Sequence, residues 1–125
     1  MLPIVNKDKH IPLTETSYYT LLALRQPAHG YLIMQMVKQL SAGAVDMAAG
    51  TMYGALDNLR RQGLIQEVES PDGRRRTYQI TKYGREVLDL DIRRLEHMVA
   101  VAKEQGGRRC IDSEYSLISI KRKRG

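Results

Sequence analysis

The fold is decided by residues 49–81, which read AGTMYGALDNLRRQGLIQEVESPDGRRRTYQIT. The first part predicts a helix over residues 49–62, because apolar residues recur on one stripe and Gly63 follows the last of them. The second part predicts a β-hairpin over residues 64–81. Its strands flank Ser70-Pro71-Asp72-Gly73, where proline presets a negative φ and glycine tolerates a positive one, as a tight reversal requires.

Two further helices are predicted before this stretch and one after it. Thr14 is a good N-cap for a helix over residues 15–25, and a second apolar pattern predicts a helix over residues 30–41. Thr81 can cap a last helix over residues 82–105, which contains no proline. Residues 1–12 are predicted to be a flexible N-terminal arm, and residues 106–125 a disordered basic tail.

Three short helices followed by a hairpin are the element order of a winged helix. The predicted fold is therefore mainly α with a small β-hairpin: a winged helix-turn-helix over residues 13–81 plus a long C-terminal dimerisation helix. In helix-turn-helix proteins the second helix of the pair enters the major groove of DNA. The sequence thus indicates a DNA-binding domain whose recognition helix covers residues 49–62.

One face of the predicted recognition helix carries residues suited to DNA contact. Steps of roughly 100° per residue bury Met52, Leu56 and Leu59 and leave the polar residues outside. Asparagine can pair bidentately with adenine, arginine matches phosphate, and a glycine allows close approach. For Gly54, packing against a neighbouring helix is an equally good explanation. The DNA-contacting residues predicted on this helix are Thr51, Tyr53, Gly54, Asn58 and Arg61.

The hairpin tip carries Arg74, Arg75 and Arg76. Guanidinium groups match phosphate oxygens, and a wing can reach the neighbouring minor groove. The alternative is that these arginines only keep the loop soluble. Their position beside the predicted recognition helix favours DNA contact.

Apolar residues along the last predicted helix follow intervals of 4, 3, 4 and 3, which form a heptad seam. Such a seam favours pairing with a second copy of the chain. The alternative is a helix that lies back on its own domain. The residues predicted for the dimer interface are Leu88, Ile92, Leu95, Val99 and Ala102.

Composition and charge limit the other functions. The net charge is +6, but residues 106–125 hold six Lys or Arg and two Asp or Glu, so the total is poor evidence for a nucleic-acid partner. His10, His29 and His97 lie far apart without companion ligands, so no metal site is predicted. The sequence contains no glycine-rich phosphate loop, no Gly-x-Ser-x-Gly motif and no paired carboxylates suited to a cleft. No cofactor or catalytic residue is therefore predicted, and the chain is not expected to be an enzyme. No apolar run approaches the length of a membrane span, which predicts a cytoplasmic protein without a membrane partner. Cys110 is the single cysteine and cannot form an internal disulfide.

Several short motifs are spread over about residues 13–104. They are Leu13-Thr14-Glu15, Leu21-Leu22-Ala23-Leu24, His29-Gly30-Tyr31, Gly50-Thr51-Met52-Tyr53, Gly63-Leu64-Ile65 and Gly73-Arg74-Arg75-Arg76-Thr77-Tyr78, followed by Thr81 and Gly84. Together these motifs resemble the PadR family of bacterial transcription regulators. With one helix after the hairpin, the chain is similar to the family's compact subgroup.

The resemblance implies a repressor that binds a palindromic operator in double-stranded DNA as a homodimer paired through its C-terminal helix. Some compact members stack flat aromatic drugs on a tryptophan of that helix. This chain has no Trp and no Phe, so an aromatic effector would have to use tyrosines. The sequence decides neither the operator nor the identity of an effector. The main alternative function is a winged-helix module that binds another protein without specific DNA binding.

Overall fold

The computed structural model of the chain describes residues 7–106. In chain order they form a 3-10 helix at Lys7–His10, α1 (Glu15–Ala23), β1 (Ala28–His29), α2 (Gly30–Leu40), α3 (Ala49–Arg61), β2 (Ile65–Val68), β3 (Thr77–Ile80) and α4 (Lys82–Gly106). The predicted fold class, mainly helical with a small sheet, is confirmed. The four predicted helices lie within two residues of their expected bounds.

Threonine side chains cap α1 and α4 as the sequence predicts. The hydroxyl of Thr14 accepts a hydrogen bond from the backbone N–H of Ser17 at 3.0 Å. The hydroxyl of Thr81 accepts from the N–H of Gly84 at 2.9 Å and donates to the carbonyl of Gly63 at 2.7 Å. These bonds satisfy N–H groups that have no partner inside a helix, so both helices begin at fixed residues.

The sheet has three strands, in the order β1-β3-β2, and all its pairs are antiparallel. The two-stranded hairpin is therefore an incomplete prediction, because β1 pairs with the other edge of β3 and places Ala28 opposite Tyr78. A strand of two residues is too short to show a side-chain alternation. Because β1 immediately precedes α2, its pairing with β3 places the start of α2 directly beside the hairpin.

The core lies between the three first helices, the sheet and the start of α4. It contains Leu21, Leu24, Ile33, Val37, Met52, Leu56, Leu59, Leu64, Ile65, Tyr78, Ile80, Val87 and Leu88. Leu88 is only 2% exposed in the single chain, so its predicted place in a dimer interface is wrong. Ile92 is half-buried and packs against the same core. The first two residues of the heptad seam, Leu88 and Ile92, therefore pack α4 against the core of its own domain.

A buried carboxylate joins α4 to the start of α1. Asp91 is 1% exposed, accepts a hydrogen bond from the N–H of Leu13 at 3.3 Å, and pairs with the Nε of Arg94 at 2.6 Å. A buried charge is tolerated when it is paired and hydrogen-bonded, as this one is. Asp91 thus fixes where α4 leaves the domain.

Residues 7–12, predicted as part of a flexible N-terminal arm, contact the rest of the domain. The ring of His10 bonds to Gln62 Oε1 at 2.9 Å and to the hydroxyl of Tyr83 at 2.8 Å, and Lys7 lies 3.4 Å from Glu86. Individual side-chain contacts hold this segment, and not an apolar face, so its sequence shows no regular apolar period. Residues 1–6, Cys110 and the predicted tail beyond Gly106 lie outside the described residues.

Within residues 7–106, no helix is long and apolar enough to cross a membrane. The same residues contain no group of three or more His, Cys, Asp or Glu side chains that could hold a metal ion.

Candidate nucleic-acid interface

The outer face of α3 is open to solvent. Tyr53 is 50% exposed, and Thr51, Gly54, Asn58 and Arg61 are exposed as well. The inner residues Met52, Leu56 and Leu59 are each 1% exposed. The predicted division of α3 into a buried stripe and a free face is therefore confirmed, while DNA contact by these residues stays a prediction.

Two glycines leave a gap in the side chains of this face. A Cβ added at Gly50 or at Gly54 would meet no heavy atom within 4 Å. Packing against a neighbouring helix, the alternative explanation for Gly54, is thus excluded within the described chain. Glycine inside a helix costs about 1 kcal/mol relative to alanine. A Cβ at Gly54 would be accommodated in the described chain, so packing does not require glycine at this position.

We expect Gly54→Ala to stabilise the free protein by about 0.5–1 kcal/mol and to weaken DNA binding several-fold. The added methyl group raises helix propensity, and it also holds the helix away from a groove floor. Thermal unfolding measures the first effect and fluorescence anisotropy with a labelled duplex the second. A stabilised variant that binds DNA as well as the wild type would show that close approach at this position is not needed.

Charges at the end of α3 are already paired in the free chain. Asp57 accepts from Arg60 at 2.8 Å and lies 3.0 Å from Arg61. The hydrogen bond from Arg60, followed by the charge of Arg61, lowers the pKa of Asp57. To contact a phosphate, Arg61 must therefore weaken or break its ion pair with Asp57. The role of Arg60 was not predicted, although its i,i+3 spacing from Asp57 is a recognisable signal.

A carboxylate organises the turn at the wing, the loop of residues 69–76 between β2 and β3. Asp72 accepts from the hydroxyl of Ser70 at 2.5 Å and from the backbone N–H groups of Arg74 and Arg75 at 3.0 and 3.4 Å. The Ser70 hydrogen bond is the largest cause that lowers the pKa of Asp72 to about 2. Gly73 takes a φ of +68°, which glycine adopts at little cost. The three wing arginines therefore follow directly on a turn whose backbone conformation is held by hydrogen bonds.

The three wing arginines have different surroundings. The side chain of Arg74 contacts no partner among residues 7–106, whereas Nη1 of Arg75 donates to Nε2 of His29 at 3.0 Å. Arg76 donates from Nε and Nη2 to the carboxylate of Glu67 at 3.2 and 3.1 Å, and this pairing raises the pKa of Arg76. Its guanidinium also lies 5.7 Å from the centre of the Tyr78 ring. Only Arg74 is fully free to contact a phosphate in the described structure.

A cavity of about 420 Å³ separates the wing from the starts of α2 and α3. It is lined by His29, Gly30, Tyr31, Tyr53, Arg75 and Arg76. A Cβ at Gly30 would lie 2.7 Å from the Tyr53 hydroxyl oxygen, so glycine lets α3 approach α2 here. The structure thus brings Tyr53 and two wing arginines together. It adds His29 and Tyr31 of the His29-Gly30-Tyr31 motif, which are not among the predicted contact residues.

The exposed part of the heptad seam lies on the second half of α4. Val99 is 48% exposed, Ala102 is exposed and Leu95 is half-buried. A groove of about 410 Å³ runs beside them, between α4 and Tyr18 of α1. These three seam residues are available for contact with a second chain, in contrast to Leu88.

Comparisons with known proteins agree with this fold. A family model described as "Transcriptional regulator PadR-like family" matches residues 15–90. A PadR family transcription regulator from Clostridium difficile is 23% identical, with a TM-score of 0.62 over 76% of this chain and 100% of that chain. A transcriptional regulator from Clostridium thermocellum is 20% identical, with a TM-score of 0.59 over 82% and 97%.

The PcaV transcriptional regulator from Streptomyces coelicolor is similar in fold as well. It is 21% identical, with a TM-score of 0.67 over 89% of this chain and 76% of that chain. No curated protein sequence matches the chain at a significant level. At these identities the structural likenesses show the fold alone.

Proposed function

The chain belongs to the PadR-like family of transcriptional regulators, and we propose that it is a sequence-specific, DNA-binding repressor that acts as a homodimer on a palindromic operator. The observation that carries this proposal is the side-chain gap at Gly50 and Gly54 on the free face of α3, beside a wing that carries three arginines. A helix that lacks bulk on its outer face suits a groove. The neighbouring guanidinium groups suit the phosphates that border it.

In this proposal α3 lies in the major groove. Thr51 and Asn58 offer hydrogen bonds to base edges, and asparagine pairs bidentately with adenine. Tyr53 and Arg61 lie toward the phosphates. The wing places Arg74 at the adjacent minor groove or its phosphates, while Arg76 holds the wing strands together through Glu67.

Dimerisation through Leu95, Val99 and Ala102 of α4 would give the protein a two-fold axis. Two recognition helices related by that axis read two half-sites spaced by a multiple of the helical turn. A palindromic operator follows from that symmetry. Repression follows if the operator overlaps a promoter.

An effector that relieves repression is the remaining part of the proposal. One similar structure is described as PcaV "in complex with its natural ligand". In this chain the groove beside α4 is lined by Tyr18, Ile92, Leu95 and Val99 among others. An aromatic effector in this groove would stack on Tyr18, because the chain contains no Trp or Phe.

A fluorescence-anisotropy titration at two salt concentrations tests the function. The probes are a duplex from upstream of the protein's own coding sequence and a scrambled duplex of equal length. We expect selective binding, with log K falling by about 0.9 per phosphate contact for each tenfold increase in salt. The variant Arg74→Ala/Arg75→Ala/Arg76→Ala should bind about ten- to a hundredfold more weakly and show a smaller salt slope.

A matched control removes the same charge elsewhere. The end of the hairpin opposite the wing tip lies where the N–H of Ile80 donates to the carbonyl of Leu24. Three basic residues belong to this end: Arg25, Lys82 and Arg85. Their combined replacement by alanine should weaken binding much less than the wing variant. Equal losses in both variants would indicate only a net-charge effect. Equal or negligible wild-type binding to both duplexes would favour the alternative, a module that binds another protein.

A further inference from the structure

The contact between Arg75 and His29 makes Nε2 of the histidine a hydrogen-bond acceptor. A guanidinium group stays protonated and can only donate hydrogen bonds. Nη1 of Arg75 lies 3.0 Å from Nε2 of His29, so Nε2 is the acceptor and the single ring proton lies on Nδ1. His29 is therefore neutral in this arrangement.

The cavity beside this contact is rich in hydrogen-bond donors. Tyr31 and Tyr53 are 65% and 50% exposed, and neither hydroxyl has a partner among residues 7–106. Tyr53 is held against Gly30, which keeps its hydroxyl at the cavity wall. Arg75 adds further N–H groups. The three side chains of Tyr31, Tyr53 and Arg75 come from α2, α3 and the wing, so the cavity depends on the tertiary fold.

The acidic groups near this cavity are already engaged. Asp72 lines a neighbouring cavity of about 270 Å³ together with His29 and Arg75, and its carboxylate accepts from Ser70 and from the wing backbone. Glu67 is paired with Arg76. The cavity therefore presents donors and positive charge to an entering group, which is the environment that an anion requires.

We infer that this cavity binds a backbone phosphate of DNA, with Arg75, Tyr31 and Tyr53 as donors, and that His29 takes up a proton from solvent when the phosphate enters. The inference rests on the proposed DNA binding and adds a phosphate site and a proton to it. A phosphate oxygen competes with His29 for the Arg75 donor. The imidazole then loses its hydrogen bond and faces an anion, whose negative charge favours the protonated form of the ring.

Proton uptake makes DNA binding stronger as the pH falls from 8 to 6. Histidine is the side chain that ordinarily changes charge in this range. The other groups that face His29 do not: Arg75 and Arg76 stay cationic, Asp72 is ionised because its pKa is about 2, and the hydroxyls of Tyr31 and Tyr53 are neutral donors. We expect the affinity to rise several-fold per protomer across this range.

The test is an anisotropy titration of the upstream duplex at pH 6, 7 and 8 and constant ionic strength. The proteins are the wild type, His29→Gln, Tyr31→Phe and the control His97→Gln, each checked for an unchanged unfolding temperature. We expect His29→Gln to lose the pH dependence, because glutamine can still accept from Arg75 but cannot titrate. Tyr31→Phe should bind about fivefold more weakly at every pH, the effect of one hydrogen bond. His97→Gln, altered on an exposed position of α4, should keep the wild-type profile.

Two outcomes would overturn the inference and leave the proposed function intact. One is an identical pH dependence in the wild type and His29→Gln, and the other is unchanged affinity in Tyr31→Phe. A wild type that binds neither the upstream nor the scrambled duplex would overturn the proposed function and this phosphate site together.

Discussion

Gly84→Ala is expected to destabilise the domain by about 2 kcal/mol. A Cβ at Gly84 would lie 2.0 Å from the carbonyl oxygen of Leu64 and 2.9 Å from Cγ1 of Ile80. Leu64 is fully buried, and its carbonyl also accepts the N–H of Thr81 at 3.0 Å, so the oxygen cannot move without breaking a cap of α4. Overpacking costs up to about 3 kcal/mol, and the gain in helix propensity returns at most about 1 kcal/mol.

Thermal unfolding followed by circular dichroism measures this effect. In a domain of this size, 2 kcal/mol corresponds to a fall of roughly 8–16 °C in Tm. Gly54→Ala is the matched control, because it makes the same change within a helix where a Cβ meets nothing within 4 Å. The two variants should shift Tm in opposite directions. A Gly84→Ala protein as stable as the wild type would show that α4 can lift from the sheet without loss.

The helices could be predicted because each carries its own signal. The apolar stripe of α3 and the caps Thr14 and Thr81 are local patterns, so they are readable without the tertiary fold. β1 was missed since two residues carry no period, and its pairing depends on an edge of β3 nearly fifty residues away. Residues 7–12 were missed for the same reason: His10 is held by Gln62 and Tyr83, which are distant in sequence.

The candidate site was predictable in residue type but not in arrangement. The exposed face of α3 follows from helical geometry, and the three consecutive arginines of the wing can be recognised in the sequence. The pairing of Arg75 with His29 joins residues 46 positions apart, and the pairing of Arg76 with Glu67 depends on the register of β2 against β3. Sequence therefore treats three arginines as equivalent, although only one of them has a side chain without a partner among residues 7–106.

The heptad seam shows how a correct pattern can serve two purposes. Intervals of 3 and 4 place apolar residues on one side of α4, but they do not say what covers that side. At Leu88 and Ile92 the cover is the chain's own core. Beyond Asp91, which anchors α4 to the start of α1, the same side carries Leu95, Val99 and Ala102 with no such cover. The proposed dimer interface is thus the distal part of the seam.

Val99→Asp is expected to convert the proposed dimer into a monomer and to abolish high-affinity operator binding. In a two-fold interface the substitution buries two like charges without partners, one from each chain. An uncompensated buried charge costs roughly 3–5 kcal/mol, so the dimer dissociation constant should rise more than a thousandfold. Sedimentation velocity measures the mass of the particle, and anisotropy with the full palindrome measures the loss of coupling between half-sites.

Val101→Asp is the matched control for this change. Val101 is also an exposed valine of α4, 37% exposed against 48% for Val99, but two helical steps turn it roughly 200° away from Val99. The same substitution there should leave the dimer and its operator affinity nearly unchanged, because the added charge stays in water. If both variants became monomeric, α4 would pair through a broader surface than the seam. If neither did, the chain would not dimerise through this helix, and the two-fold reading of a palindrome would have to come from another surface.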